Sequence, residues 1–296
     1  MKRPRVPWQA LLVLAATGWT VSVHAATLAE IRQRGYMVVA VGAETSPFAI
    51  LQSGKRTGFD PALLDRLRQS AGFEIREKLV PASALTTTLL AGEVDVIATS
   101  LEISPDREAA LAFAPPVAES TLYYLKRRDD ETIKALADLG GRRLGIRSGS
   151  ASLQALSEIE HNLAKAGNKP LGAIVDFADD AKAYRGLKTG KVDYVVNDIV
   201  DLAELAESNP GSFAVGQPIG HRRYVAWAVA KGNSDLASFL NAFVLAERNN
   251  GELAALQQAW LGRRFPDLPD SAAPERWAVR NERTAGVPAP DFREPD

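Results

Sequence analysis

The chain has 296 residues, is 46% hydrophobic and 24% charged, and carries a formal net charge of -1. That composition supplies apolar material for one or two ordinary domains. The near-neutral charge gives no reason to expect nucleic acid or an anionic membrane surface as a partner, and the absence of cysteine excludes a disulfide framework, a thiolate nucleophile and a cysteine-ligated metal.

In chain order, Lys2, Arg3 and Arg5 form a positive head, and an apolar stretch follows from Trp8 to Val21. Val23, His24 and Ala25 then place small or compact residues where a signal peptidase reads, so residues 1–25 are predicted to be a signal peptide cleaved near Ala25/Ala26. The apolar run is shorter than the roughly 20 residues that a membrane-spanning helix needs. No cysteine at the cleavage site could carry a lipid anchor.

Short apolar strands and amphipathic helices alternate beyond this point. Strands are predicted at Met37–Val41, Ile75–Val80, Val94–Ala98 and Leu122–Leu125. Between them, Asp60 is read as a helix cap with Pro61 in the first turn and Leu63, Leu64, Leu67 and Ala71 on one face. Ser83 starts a helix carrying Leu85, Leu89 and Leu90, and Ser104-Pro105 opens another. The pattern then restarts. Strands at Arg143–Ile146, Ala173–Phe177 and Val192–Val196 alternate with helices from Ser150 (buried face Leu153, Leu156, Ile159, Leu163), from Asp180 to Leu187, and from Ile199 to Ala206 behind Asp198. Such βαβα alternation argues for an α/β fold with parallel-rich sheets flanked by helices. Residues 234–261 read as two helices broken near Asn250-Gly251, and 266–296, rich in proline and polar residues, as an extended C-terminal tail.

The ordered segments resemble the bacterial extracellular solute-binding proteins of family 3, which serve amino-acid ABC transporters. The matching stretches are Leu28–Gly35, Ser46–Phe48, Thr57–Asp60, Leu90–Asp95, Ser104–Arg107, Leu136–Gly141, Gly145–Ser150, Leu187–Asp193 with Asn197-Asp198, and Gly251–Gly262. Each is weak alone; the ordered set is specific. The resemblance implies a type II periplasmic binding protein fold of two lobes joined by two hinge crossovers. Lobe one would hold 26–121 plus 226–265, and lobe two 122–225. It implies a small polar ligand, an amino acid or a related compound, an inner-membrane ABC permease as partner, a monomer in the periplasm, and neither cofactor nor catalysis.

Carried over residue by residue, the resemblance places a carboxylate-binding arginine at Arg107, a hydroxyl and a backbone N–H at Ser150 and Ala151, an ammonium-binding carboxylate at Asp198, and a further contact at Ser100. The chemistry fits. A guanidinium fork matches a carboxylate, and the N–H groups opening a helix favour an anion. Ser150 and Asp198 also read simply as helix caps. Three positions depart from the family pattern. Glu102 stands where a hydroxyl is usual, and would repel a ligand carboxylate or pair with Arg107. Thr45 and Ala82 stand where aromatic rings are frequent, which implies a roomier, more polar cleft.

Two other functions share this scaffold. One is a periplasmic dehydratase of the cyclohexadienyl or arogenate type, for which Glu102 would be the candidate acid. The other is a free ligand-sensing module, although the sequence ends at Asp296 without a membrane span or signalling domain. His24, His161 and His221 are isolated, so no metal cluster or serine–histidine–aspartate order is expected. Gly140-Gly141 and Ser148-Gly149-Ser150 are too sparse for a phosphate loop.

Overall fold

The computed structural model describes residues 25–43, 48–52, 55–165 and 169–272, apart from the side chains of 51, 52, 151 and 154. Residues 1–24 of the expected signal peptide, Thr45 and the expected tail beyond 272 lie outside the described residues.

Two sheets organise the chain. The first takes strands β1 (Tyr36–Gly42), β4 (Glu74–Val80), β5 (Val96–Glu102), β6 (Leu111–Phe113), β7 (Ala118–Glu119) and β13 (Tyr224–Ala230), in the order β4-β1-β5-β13-β6 with β7 also on β13. The second takes β8 (Leu122–Arg127), β9 (Leu144–Arg147), β10 (Ile174–Phe177), β11 (Tyr194–Asp198) and β12 (Phe213–Pro218), in the order β10-β9-β11-β8-β12. A small hairpin of β2 (Ile50–Gln52) and β3 (Lys55–Thr57) stands apart.

The sheets are mixed, and this qualifies the expectation of parallel pairing. Strand β1 is parallel to β4 and β5, and β9 is parallel to β10 and β11. Strands β13 and β8 run against them. The reason is topological. The chain passes from the first sheet to the second at 120–121 and returns at 219–223. Strands β8 and β13 start at that boundary and run away from it, whereas β5 and β11 end there. Their registers show it: Glu102, the last residue of β5, pairs with Val225, and Asp198, the last of β11, pairs with Leu122. The two crossovers are themselves joined, because Ser120 N donates to Arg223 O at 2.8 Å.

Local chemistry explains most helices. Helix α1 (Leu28–Arg34) begins with a reciprocal capping box between Thr27 and Glu30. Helix α2 (Phe59–Ser70) buries Leu63, Leu64 and Leu67, as its spacing predicts, but Asp60 does not cap it. The cap position is Gly58, at φ 126, where a Cβ would come within 2.8 Å of the Phe48 carbonyl oxygen. Only glycine meets both demands. In α3 (Leu85–Leu90), Leu85 and Leu89 are buried four residues apart, while Leu90 lies a further 100° around the helix and is 45% exposed, against expectation. Ser104 caps the short α4 (Pro105–Glu108). The helix expected from Ser150 is two pieces, α5 (Ala151–Gln154) and α6 (Leu156–Lys165), which part at Ala155. Helices α7 (Asp180–Lys188), α8 (Ile199–Ser208), α9 (Ser234–Asn249) and α10 (Glu252–Leu261) follow the expected boundaries to within a turn.

One apolar core runs through both units. It includes Trp227 and Leu240 on the first sheet's side and Ile199, Leu202 and Phe213 on the second's, and a smaller cluster around Leu144, Ile159 and Leu163 covers the second sheet's other face. Trp227 lies in the middle of β13, fully buried and stacked on Phe243 of α9 at 5.9 Å. The start of the expected tail is not loose. Leu268 and Ala272 are buried, and the Arg248 guanidinium donates to the carbonyls of Leu268, Pro269 and Pro116. Residues 266–272 therefore pack onto the first unit, because an arginine 20 residues away satisfies their backbone.

Candidate functional site

Ligands of open α/β sheets bind beyond the carboxyl ends of the parallel strands. Here the ends of β5 and β11 meet at the crossovers, which brings Glu102 and Asp198 to the same boundary from opposite units.

From the first sheet come Ser100, Glu102 and Arg107. Both donors of Ser100 are taken by a carboxylate that sequence reasoning read only as a cap. Its N–H reaches Asp60 Oδ2 at 2.9 Å and its hydroxyl reaches Oδ1 at 2.7 Å, while the Thr99 hydroxyl adds a third bond to Asp60 at 3.0 Å. Burial pushes the Asp60 carboxyl up to about 6, against the pull of these donors and of the Arg56 charge. Arg107 sits in the first turn behind Ser104, half-buried, and its Nη1 donates to the backbone oxygen of Glu102 at 2.7 Å. The expected pairing of Arg107 with the Glu102 carboxylate does not form, because that carboxylate turns to Arg223, 3.9 Å away.

From the second sheet come Ser150, Ala151 and Asp198. Ser150 is buried and its hydroxyl accepts Leu153 N–H at 3.2 Å, so it caps α5, whose first residue is Ala151. Asp198 caps α8 by accepting Val200 N–H at 2.8 Å. Its carboxyl lies well above the usual range, mainly through desolvation, with the charges of Asp201, Glu102 and Glu119 adding to the effect. Among the described residues, no lysine or arginine forms a salt bridge with it. Next to it, burial and the Asp180 and Glu204 charges push Asp201 up to about 7. Ala82, at the end of β4, is exposed in a short turn.

The two crossovers are expected from the sequence, but the residues that tie them together are not singled out there. Thr121 is fully buried; its hydroxyl donates to Glu119 at 2.7 Å and accepts Arg223 N–H at 3.1 Å. Arg222 lies 3.5 Å from Glu119. Glu158, on α6, accepts from His221 N at 2.9 Å and Arg223 Nη2 at 2.6 Å, with the His221 ring 2.6 Å away. Although burial opposes it, these bonds bring the Glu158 carboxyl down to about 2. The adjacent arginines at 222 and 223 were the available signal, but their carboxylate partners are 65 to 121 residues distant in sequence.

Among the described residues there is no group of three or more histidines and carboxylates suited to a metal. Two surface hollows, of about 410 and 540 Å³, border Lys231 and are lined by none of the site residues above.

Comparison with known proteins adds to this geometry. Residues 37–263 match the pattern described as bacterial extracellular solute-binding proteins, family 3. The chain is 24% identical to the L-cystine-binding protein TcyJ of Escherichia coli K12 over 270 residues, covering 88% of this chain and 98% of that one. Among solved structures it is similar to an ancestral cationic amino acid solute-binding protein (TM-score 0.67, 24% identity, covering 79% of this chain and 99% of that one). It is also similar to the unliganded, open L-cystine solute receptor of Neisseria gonorrhoeae (TM-score 0.66, 20% identity, 81% and 99%). The shared fold is the two-lobe, type II periplasmic binding protein fold.

Proposed function

The chain belongs to the bacterial extracellular solute-binding proteins of family 3, and on that premise we propose that it captures an amino acid or a close relative between its lobes for an inner-membrane ABC permease. One observation carries the ligand class. Asp198, desolvated and with no salt-bridge partner among the described residues, stands at the end of β11 with the charges of Asp201, Glu102 and Glu119 around it, while Arg107 stands in α4, just beyond the end of β5, in the opposite lobe. A desolvated carboxylate among acids is best satisfied by a cation. A zwitterion would place its ammonium there and its carboxylate on Arg107 and the Ser150–Ala151 backbone.

Such a ligand touches both lobes only when they close. It therefore binds the closed form better than the open one and shifts the population toward it. In this reading Ser100, with its donors on Asp60, shapes the cleft floor, and Glu102 discriminates by charge. The protein works as a monomer in the periplasm after cleavage near Ala25/Ala26. The folded body supports that boundary, since Asn233 Nδ2 holds the Ala26 carbonyl at 2.9 Å and Thr27 caps the first helix.

A thermal-shift screen of neutral, cationic and sulfur-containing amino acids tests the reading. Ligand at a hundred times its Kd should add about 2.7 kcal/mol. If no amino acid raises Tm, and the protein instead releases water and carbon dioxide from prephenate or arogenate, the dehydratase reading, with Glu102 as its candidate acid, replaces this one.

A further inference from the structure

Arg223 sits on the return crossover and touches both lobes at once. Its Nη2 donates to Glu158 of α6 in lobe two at 2.6 Å, and its Nη1 lies 3.9 Å from Glu102 Oε1 at the end of β5 in lobe one. Its side chain is only 11% exposed, so solvent and salt screen these interactions weakly. Its backbone is fixed as well. Its carbonyl accepts Ser120 N–H from the other crossover, and its N–H meets the Thr121 hydroxyl.

The lobe-two end of this arrangement is the firmer one. Glu158 is also held by His221 N at 2.9 Å, and the chain passes it at Gly220, φ 98, where any Cβ would run into the Glu158 carboxylate. The lobe-one end, a single ion pair, is looser. A guanidinium fork presents its two terminal nitrogens in different directions, which lets one side chain hold carboxylates of two bodies at a set separation. A lysine ammonium on its flexible stem does not do this.

We propose that Arg223 is a positioning residue that couples the lobes: anchored on Glu158, it holds the Glu102 carboxylate at the cleft and thereby sets the angle between the lobes in the absence of ligand. A ligand group that takes Glu102 breaks the tie on its lobe-one side. This rests on the two-lobe fold and on three named side chains, not on the identity of the ligand, so failure of the amino-acid reading leaves it standing.

The test is a distance across the cleft mouth without ligand. The chain has no cysteine, so Ser83→Cys and Ala178→Cys can be spin-labelled without background. Both positions are exposed and follow β4 and β10, the edge strands farthest from β13 and β8 at the hinge. In pulsed electron–electron resonance, Arg223→Lys and Arg223→Met should shift and broaden the mouth distance by several ångströms relative to the doubly labelled parent. Glu102→Gln should do the same from the other end. Should Arg223→Met fail to fold, Glu158→Gln removes the lobe-two anchor while leaving the arginine in place, and the same shift is expected. Distributions for Arg223→Lys and Glu158→Gln that superimpose on the parent's while Tm falls would show a merely structural arginine and overturn the proposal.

Discussion

The carboxylate of Asp60, at the start of α2, receives both donors of Ser100 near the end of β5, 40 residues later in the chain. The cleft strand is thus held from behind by a buried acid that leaves no donor of Ser100 for a ligand. Because burial raises that acid to about 6, its ionisation opposes folding. Stability from this group is present in full near pH 4 and declines as pH rises to about 6. The shift corresponds to about 3 kcal/mol. Asp60→Asn, which cannot ionise, should remove that decline. Urea titrations of both proteins from pH 4 to 7 measure it, and a parent–variant difference that stays constant across the range would contradict it.

Glu158 behaves in the opposite sense. Its carboxyl is brought down to about 2, so the folded state favours the ionised form. The resulting stability, which solvent screening of this partly exposed group keeps below about 3 kcal/mol, is present above pH 4.5 and lost as the pH falls toward 2. Glu158→Gln should lower stability at neutral pH by up to that amount and flatten the acid limb. Thermal melts between pH 2.5 and 7 follow both effects.

Asp198 should show a trade between stability and function. Its ionised form is costly in the folded protein, because burial and three neighbouring acids oppose the charge. Asn is as good a helix cap as Asp. Asp198→Asn should therefore raise the Tm of the ligand-free protein at pH 7 while weakening the best amino-acid ligand by about 1.5–3 kcal/mol, the worth of a charged hydrogen bond. Gain in Tm and loss in affinity must occur together; a variant that binds unchanged would remove Asp198 from the site.

Arg107 should matter for binding and little for folding. It spends one nitrogen on the Glu102 carbonyl and is half-buried in a four-residue helix. Arg107→Ala should cost about 2–5 kcal/mol of affinity, or thirty- to several-thousand-fold in Kd, with Tm nearly unchanged. Calorimetry with the best ligand from the screen decides this, and unaltered affinity would mean that the ligand carboxylate lies elsewhere.

What the sequence determined by itself was everything whose cause is local. Leu63, Leu64 and Leu67 recur at helical spacing, Ser104 caps a helix three residues before Arg107, and Asn250-Gly251 interrupts two helices, so these elements could be read where they stand. The ordered motifs carried the family and its two lobes for the same reason, since each is a short run of neighbours. Pairing between distant segments was decided only by tertiary structure. Strand β13 carries no alternation, because Trp227 and its neighbours are buried on both faces, and its antiparallel direction follows from where the chain recrosses the hinge. Asp60 looked like a cap until Ser100 was placed beside it, and Glu102 looked like a partner for Arg107 five residues on until the fold brought Arg223 from 121 residues away. Charge attraction and desolvation depend on distance through space, and a linear sequence does not contain those distances.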